Sequence, residues 1–484
     1  MHVVFASSEC VPFAKTGGLA DVVGALAPEL VKLGYRVTVY LPFYPRVRRH
    51  IEGELRYAIR SLTIPFQYYN RFAGIVDGGA RAGVQYYFVD CPELFARPEL
   101  YGEGGSDYGD NAERFGLFSR AVLEACKQLG VPQIFHVHDW QAALLPVYLR
   151  SVYAQDPVFG KTGSVLTIHN AAYQGKFPPR TTEQLLFPWD LFRMDRLEQF
   201  DRFNFLKGAM VYSDVLTTVS RKYAEEIRTP EFGENMDGVL RSRGRDLRGI
   251  LNGVDYSEWS PAVDRKIAAN YTAEDLAGKR ACRADLLRAF GLPNLADHVP
   301  VVGIVARFAT QKGFDMVAAI AEELAHRELA VVALGTGEPV YERFFKSWAW
   351  ASAGKVRVEI RYDDLLAHKI EAGSDIFLMP SRYEPCGLNQ IYSLKYGTVP
   401  VVRATGGLDD TIEEWNPETR TGTGFKFHGY NPYDLLAAVD RALAAFADRE
   451  AWTQLMRNGM AKDYGWQGPA REYAAIYEEV AARF

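Results

Sequence analysis

Lys15 stands two residues before the pair Gly17-Gly18, and a helix-like run, Leu19–Leu30, follows at once. Glycines let a ligand come close to the backbone, and a helix N-terminus offers unpaired N–H groups at a positive dipole end. With a lysine added, the stretch suits a phosphate or another anion. Taken alone, it is equally well explained as a tight turn beside a solvated cation. It is neither G-x-G-x-x-G nor a Walker loop, so a dinucleotide or P-loop reading is poor. A second group lies far along the chain. "RFATQKGFDM" holds Arg307 and Lys312, a guanidinium that can fork onto phosphate oxygens and an ammonium acting as a point charge. "SRYEPCGLNQIYSLKYG" places Glu384 ahead of Cys386, Gly387, Leu388 and Asn389, and "RATGGLDDTIEE" brings another Gly-Gly before a helix. Each stretch by itself reads as a cap, a turn or a surface ion pair. Four such helix starts together point to a polyanion containing a pyrophosphate.

Other polar residues also fall where strand-like runs end. They are Asp139 in "HVHDWQAAL", His169 and Asn170 in "TIHNAAYQG", and Asn252 in "ILNGVD". Carboxylate and amide groups so clustered suit hydroxyl-rich ligands. His136 and His138 point to one side of a strand, a plausible metal pair. No third ligand is evident and no D-x-D occurs, so no metal is expected.

The elements that must position these residues show as apolar runs alternating with amphipathic stretches. In the first half the runs are His2–Ser7, Tyr35–Leu41, Val84–Val89, Ile134–His138, Ser164–His169 and Val215–Ser220, closed by Arg248–Val254. Asp255–Pro300 is more polar and shows no clear strand. A second set follows: Val299–Ala306, Ala330–Leu334, Val356–Ile360, Ile376–Pro380 and Val399–Val402, and Pro432–Phe484 is helical in pattern throughout. Apolar runs without period-two alternation suit strands buried on both faces, and strand–helix alternation suits parallel sheets. The expectation is an α/β chain of two doubly wound domains joined near residue 254, with ligands beyond the carboxyl ends of the strands. A length of 484 residues also favours two cores.

A net charge of −5 argues against a broad nucleic-acid surface. The five cysteines, Cys10, Cys91, Cys126, Cys282 and Cys386, are scattered and form no C-x-x-C, which suggests reduced thiols in the cytoplasm. No targeting segment or bilayer-spanning stretch is expected at or beyond the N-terminus.

"KTGGLADVVGALAPEL", "HVHDWQAAL", "TIHNAAYQG", "ILNGVD", "VARFATQKGFDM", "SRYEPCGLNQIYSLKYGTVPVV" and "GGLDDT" closely resemble the bacterial glycogen synthases and plant starch synthases. The likeness runs in order from Val3 to about Phe427, and K-T-G-G-L with E-P-C-G-L is its most specific part. It implies a type-B glycosyltransferase fold, two Rossmann-like domains facing across a deep cleft. In that arrangement 1–253 plus 463–484 form the acceptor-side domain and 254–462 the nucleotide-sugar domain, with joins near 252–255 and 463. It further implies retaining transfer of α-D-glucosyl from ADP-glucose to the non-reducing 4-OH of an α-1,4-glucan, without metal or other cofactor, nucleic acid or membrane.

By the same resemblance, Arg307 and Lys312 hold the pyrophosphate, with Lys15 close by and backbone N–H groups of Gly18 and of Gly387–Asn389 adding donors. Glu384 matches the essential carboxylate. His169 lies against the transferred glucose, Asp21, Asp139, Asn170 and Asn252 touch sugar or glucan hydroxyls or order the groups that do, and Tyr362 stacks on adenine. Gly17, Cys386 and Leu388 complete the binding loops. Two positions depart from the family pattern. Asn389 replaces a common Thr, and Tyr392 occupies a place where many type-B transferases carry a ribose-binding Glu. The alternatives are a transferase using UDP-glucose or another acceptor, a glucan-binding protein without activity, and a pyridoxal-phosphate phosphorylase.

Overall fold

Strand order reverses within the parallel part of each of two sheets, and Lys15, Asp139, Arg307, Lys312 and Glu384 follow the strands that flank those reversals. The computed structural model describes residues 1–352 and 354–484. It divides into one unit of Met1–Val219, Ala224–Gly253 and Trp466–Phe484, and another of Ser220–Tyr223 and Val254–Gly465. The short excursion Ser220–Tyr223 has no counterpart among the expected joins.

The first unit is built on nine strands in the order Leu247–Gly249, Val215–Thr218, Gly163–Ile168, Ile134–His138, His2–Ala6, Arg36–Pro42, Val84–Asp90, Asn70–Arg81, Tyr57–Pro65. The first seven run parallel, and the last two pair antiparallel at the edge. The central strands, such as HVVFA and IFHVH, are buried along their whole length, because helices cover both faces of a parallel sheet. The two edge strands carry bulges and exposed charged positions. Sequence reading did not foresee them, since their half-exposed pattern is interrupted by Arg60 and by Gly74, Gly78 and Gly79. Helix Gly18–Lys32 and the final helix Gln467–Ala481 pack in this unit. The latter buries Ala470, Tyr473, Ile476, Tyr477 and Val480 as one stripe.

The second unit has six parallel strands in the order Val356–Glu359, Ala330–Leu334, Val301–Val305, Ile376–Met379, Val399–Arg403, Phe425–Phe427. This is the doubly wound order of nucleotide-binding sheets. The three-residue strand at its edge was not legible beforehand. The polar stretch before this sheet contributes one helix, Ala277–Ala289, and no named strand among the described residues. The expected helical tail is three helices, Pro432–Ala447, Arg449–Met460 and Gln467–Ala481, broken at 461–466.

Candidate active site

In the second unit the order reverses between Val301–Val305 and Ile376–Met379. A crevice forms at such a reversal because the crossover helices leave in opposite directions, and the loops beyond the strand tips line it. Those loops hold Arg307, Lys312 and Glu384. Lys312 Nζ donates to Glu384 at 2.6 Å, and the Ser381 hydroxyl reaches the same oxygen at 2.9 Å. Arg307 is exposed, with a guanidinium nitrogen 3.4 Å from the Gln311 side-chain oxygen. The loops are zipped together by Arg382 N–H to Gln311 O at 2.8 Å and by the Gln311 amide to Tyr383 O at 3.3 Å.

Glu384 owes its place to backbone as well as side chain. Its carbonyl accepts the Gly407 N–H at 3.0 Å, and Ser220 Oγ donates to Pro385 O at 2.5 Å. A Cβ on Gly406 would collide with the Glu384 carbonyl oxygen, and one on Gly407 with that of Cys386. Gly406 also has φ +47, a left-handed conformation that side chains disfavour. This second Gly-Gly therefore serves the E-P-C loop by letting backbone pass close behind it. After Glu384 the chain turns through Gly387 and enters helix Asn389–Lys395. The Gln390 amide ties that turn down, donating to Cys386 O and Gly387 O at 3.0 and 3.1 Å. Leu388 packs with Val254, Ile391 and Tyr392. Tyr362 is 83% exposed, its ring open to a flat ligand.

In the first unit the reversal lies between His2–Ala6 and Ile134–His138. Beyond the first strand, Lys15 Nζ pairs with Asp21 at 2.7 Å. Glu9, which sequence reading missed, organises the glycine loop. Its buried carboxylate accepts the Thr16 hydroxyl at 2.6 Å, the backbone N–H of Thr16, and that of Gly17 at 3.2 Å. Tyr101 donates to it at 2.5 Å. The Gly17 N–H is thus already used by the protein. Nothing lies within 4 Å of where a Cβ would sit on Gly17 or Gly18, and Gly17 is extended at φ −153. The fold itself does not require glycine there, in contrast to Gly406-Gly407.

Beyond the second strand, Asp139 opens a short helix at φ +52. Its carboxylate accepts the His169 N–H at 2.7 Å, fixing the end of the next strand. Burial pushes its pKa up to about 7, against the lowering effect of the His169 and Asn170 backbone N–H groups. The His169 ring stands 3.1 Å, nitrogen to nitrogen, from His138, and burial drops its pKa to about 3, so it is neutral. Asn170 Oδ1 accepts the Ala172 N–H at 3.0 Å and shapes the following turn. Asn252 is buried, and its Oδ1 has no hydrogen-bond partner among the described residues. His136 is held on both sides, by Thr167 Oγ1 at 2.6 Å and Tyr477 OH at 2.7 Å, so it has no free nitrogen for a metal. Among the described residues one acidic and histidine group has metal-like spacing, Glu258, Asp364 and His368. The Lys266 ammonium lies among them, at 2.9, 2.6 and 3.1 Å, and supplies the positive charge itself.

Residues 2–242 match the family described as Starch synthase catalytic domain, and residues 292–458 match Glycosyl transferases group 1. The chain is 57% identical over 479 residues to a glycogen synthase of Koribacter versatilis (strain Ellin345), covering 99% of this chain and 98% of that one. The chain belongs to the glycogen synthase family. It is 47% identical to a glycogen synthase of Anaeromyxobacter dehalogenans (strain 2CP-1 / ATCC BAA-258), over 99% of both chains. The catalytic domain of starch synthase IV from Arabidopsis thaliana, bound to ADP and acarbose, superposes with a TM-score of 0.89 at 32% identity, over 99% of both chains. The fold is accordingly that of the type-B glycosyltransferases, and the protein is a hexosyltransferase of the glycogen synthase family.

The two departures from the family pattern have structural counterparts. Asn389 Nδ2 donates to Val305 O at 2.6 Å, pinning the helix start to the neighbouring strand tip. The Tyr392 ring stacks on Trp259 with centroids 4.1 Å apart, and Trp259 stacks on His368 at 3.7 Å. Tyr392 lies on helix Asn389–Lys395 and is buried in a cluster with Val254 and Ile391.

Proposed function

We propose that this member of the glycogen synthase family uses ADP-glucose as donor, transfers its α-D-glucosyl group to the non-reducing 4-OH of an α-1,4-glucan with retention, and releases ADP. The observation that carries the reading is the Lys312–Glu384 pair beside an exposed Arg307 at the switch point of the second sheet. There a cationic pair suits the pyrophosphate, and the negative charge that develops on the leaving ADP is stabilised most. Glu384 accepts sugar hydroxyls and supports the oxocarbenium-like centre. Backbone N–H groups of Gly387–Asn389 add donors, and Tyr362 offers its exposed ring to the adenine.

The first unit contributes polar groups of fixed direction. His169 is neutral and hydrogen-bonds sugar hydroxyls through its ring or carbonyl, with Asp139 holding its backbone in place. Lys15, set by Asp21, adds charge for the phosphates, and Gly17-Gly18 leave backbone open to approach. Asn170 and Asn252 complete the hydroxyl-binding set. Retention by same-face attack, with the leaving phosphate taking the acceptor proton, fits a site whose one essential carboxylate is tied to Lys312 and Ser381. Positive charge comes from side chains and helix starts, so no divalent ion is needed in this reading. Buried thiols outside any disulfide at Cys10, Cys91, Cys126 and Cys282 support a reducing compartment, the cytoplasm.

The test is incubation of purified protein with glycogen and either ADP-glucose or UDP-glucose, reading nucleotide release and the anomeric configuration of the extended chain by NMR. ADP release with a new α-1,4 linkage is expected. Faster turnover of UDP-glucose, or a β-linked product, overturns the reading.

A further inference from the structure

His138 lies one layer behind the ring that the reading above sets against the sugar, and its hydrogen-bond inventory is lopsided. Its Nδ1 is 3.1 Å from His169 Nε2. Its Nε2 is buried and has no partner among the described residues. The ring cannot shift to find one. It packs against Phe5 with centroids 5.3 Å apart and against His136 at 4.2 Å. His136 is itself clamped between Thr167 and Tyr477.

One proton is shared along the His138–His169 contact, and the orphan nitrogen decides which ring supplies it. If His169 donated, His138 would accept at Nδ1 and carry its own proton at Nε2, leaving a buried N–H with no acceptor. If His138 donates from Nδ1, its Nε2 is only an unused lone pair. Orphaned buried N–H groups are the rarer and costlier of the two. Burial keeps all three histidines neutral, so each ring carries one proton. His169, accepting at Nε2, then carries its proton at Nδ1. That nitrogen makes no hydrogen bond among the described residues, and His169 is part-exposed.

We propose that His138 is a positioning residue that fixes the tautomer of His169, so that His169 presents an Nδ1–H donor to a hydroxyl oxygen of the transferred sugar. The role of the donor rests on the function proposed above, whereas the tautomer does not. The alignment is completed from the backbone side by Asp139, which holds the His169 N–H.

The tautomer is read in the unliganded protein with 15N-labelled histidine by long-range 1H–15N correlation, with His138 and His169 signals assigned by substitution. A proton on His169 Nδ1 is expected, and a proton on His169 Nε2 overturns the proposal. Kinetics supply the second arm. His138→Asn puts a carboxamide N–H near the place of Nδ1, and His138→Leu removes the donor at similar bulk. The loss of one hydrogen-bonded alignment predicts about a tenfold lower kcat for Leu, with KM for the donor nearly unchanged. Asn should stay within about threefold of wild type on the same grounds. In a His169→Ala background the Leu change should add nothing, because its effect passes through that ring. Equal losses in Asn and Leu, or full additivity with His169→Ala, would mean a packing role only. Should the Leu variant not fold, the NMR result and the Asn variant still decide. A wild type that fails to use ADP-glucose would sink the function proposed above while leaving the tautomer measurement to stand by itself.

Discussion

Lys312 and Glu384, 72 residues apart in the chain, meet at 2.6 Å on the two loops that leave the reversal of the second sheet. The pair is largely buried, and Ser381 shares the same carboxylate oxygen. A buried ion pair leaves a costly uncompensated charge when one member is removed. Here, however, the carboxylate has a neutral isostere. Glu384→Gln should fold normally, because the loop is held by Gly407 N–H and Ser220 Oγ through main-chain oxygens. It should lose at least about 100-fold in kcat, the scale of removing one preorganised charge from a transition state. Steady-state glucosyl transfer and a melting curve measure the two. Near-normal turnover in the folded variant would remove Glu384 from the reaction.

The two Gly-Gly pairs make opposite predictions. Gly406→Ala drives a Cβ into the Glu384 carbonyl at a positive φ and should cost about 2 kcal/mol or more in stability, as strained glycine replacements do. Gly17→Ala meets nothing within 4 Å on an extended backbone, so its stability should stay within about 0.5 kcal/mol. Its activity should nevertheless drop, since in the proposed function the added methyl stands where ligand approaches backbone. Chemical denaturation of both variants, with assays on the folded fraction, checks the pair. An active Gly17→Ala would assign that glycine to the turn alone.

Glu371 gives a pH signature in stability. Burial pushes its carboxyl up to about 8 although Ser393 donates to it. The folded state therefore keeps a proton that the unfolded state releases in the ordinary carboxylate range. Between those limits the native state binds more protons, so this group makes stability fall as pH rises. Glu371→Gln cannot titrate. The melting temperature of the variant minus that of wild type should climb by several degrees from about pH 5 to about pH 8. A difference that stays flat would mean that Glu371 is ionised throughout.

Turnover should survive chelation. In the proposed function Arg307 and Lys312 provide the positive charge for the phosphates, and Lys266 already sits among Glu258, Asp364 and His368. EDTA should leave the rate within about twofold, since screening changes are the only effect expected. Loss of activity that magnesium or manganese restores would contradict the assignment of the phosphate site.

Both central sheets were legible because their strands are buried on both faces and read as unbroken apolar runs. Tyr57–Pro65 and Asn70–Arg81 were not, since a bulged edge exposes one side and admits Arg60 and Asp77. Asp139, His169, Arg307 and Glu384 stood out by type and by position after a strand. Glu9 did not: nothing in "SSEC" says that its carboxylate will fold back onto the N–H groups of Thr16 and Gly17. Ser381 was hidden for the same reason, as its partner is fixed by a turn and not by spacing. The His136–Tyr477 bond joins residues 341 positions apart, a pairing that no local pattern carries.

Tyr477 sits on the helix Gln467–Ala481, which closes a unit begun at Met1. Tyr35 reaches that helix at Ala474 O and Glu478, and Arg248 pairs with its Glu479 at 2.6 Å. A ribosome delivers these residues only after the whole second unit. The first sheet therefore waits, with the face meant for this helix uncovered, until synthesis reaches it. Domains otherwise fold in order of emergence, and distant pairings are slow to form. A message cut short before residue 466 would yield a second unit able to assemble and a first unit lacking the clamp on His136. Assembly of the histidine row thus becomes a check that translation has run past the second unit and through the helix Gln467–Ala481.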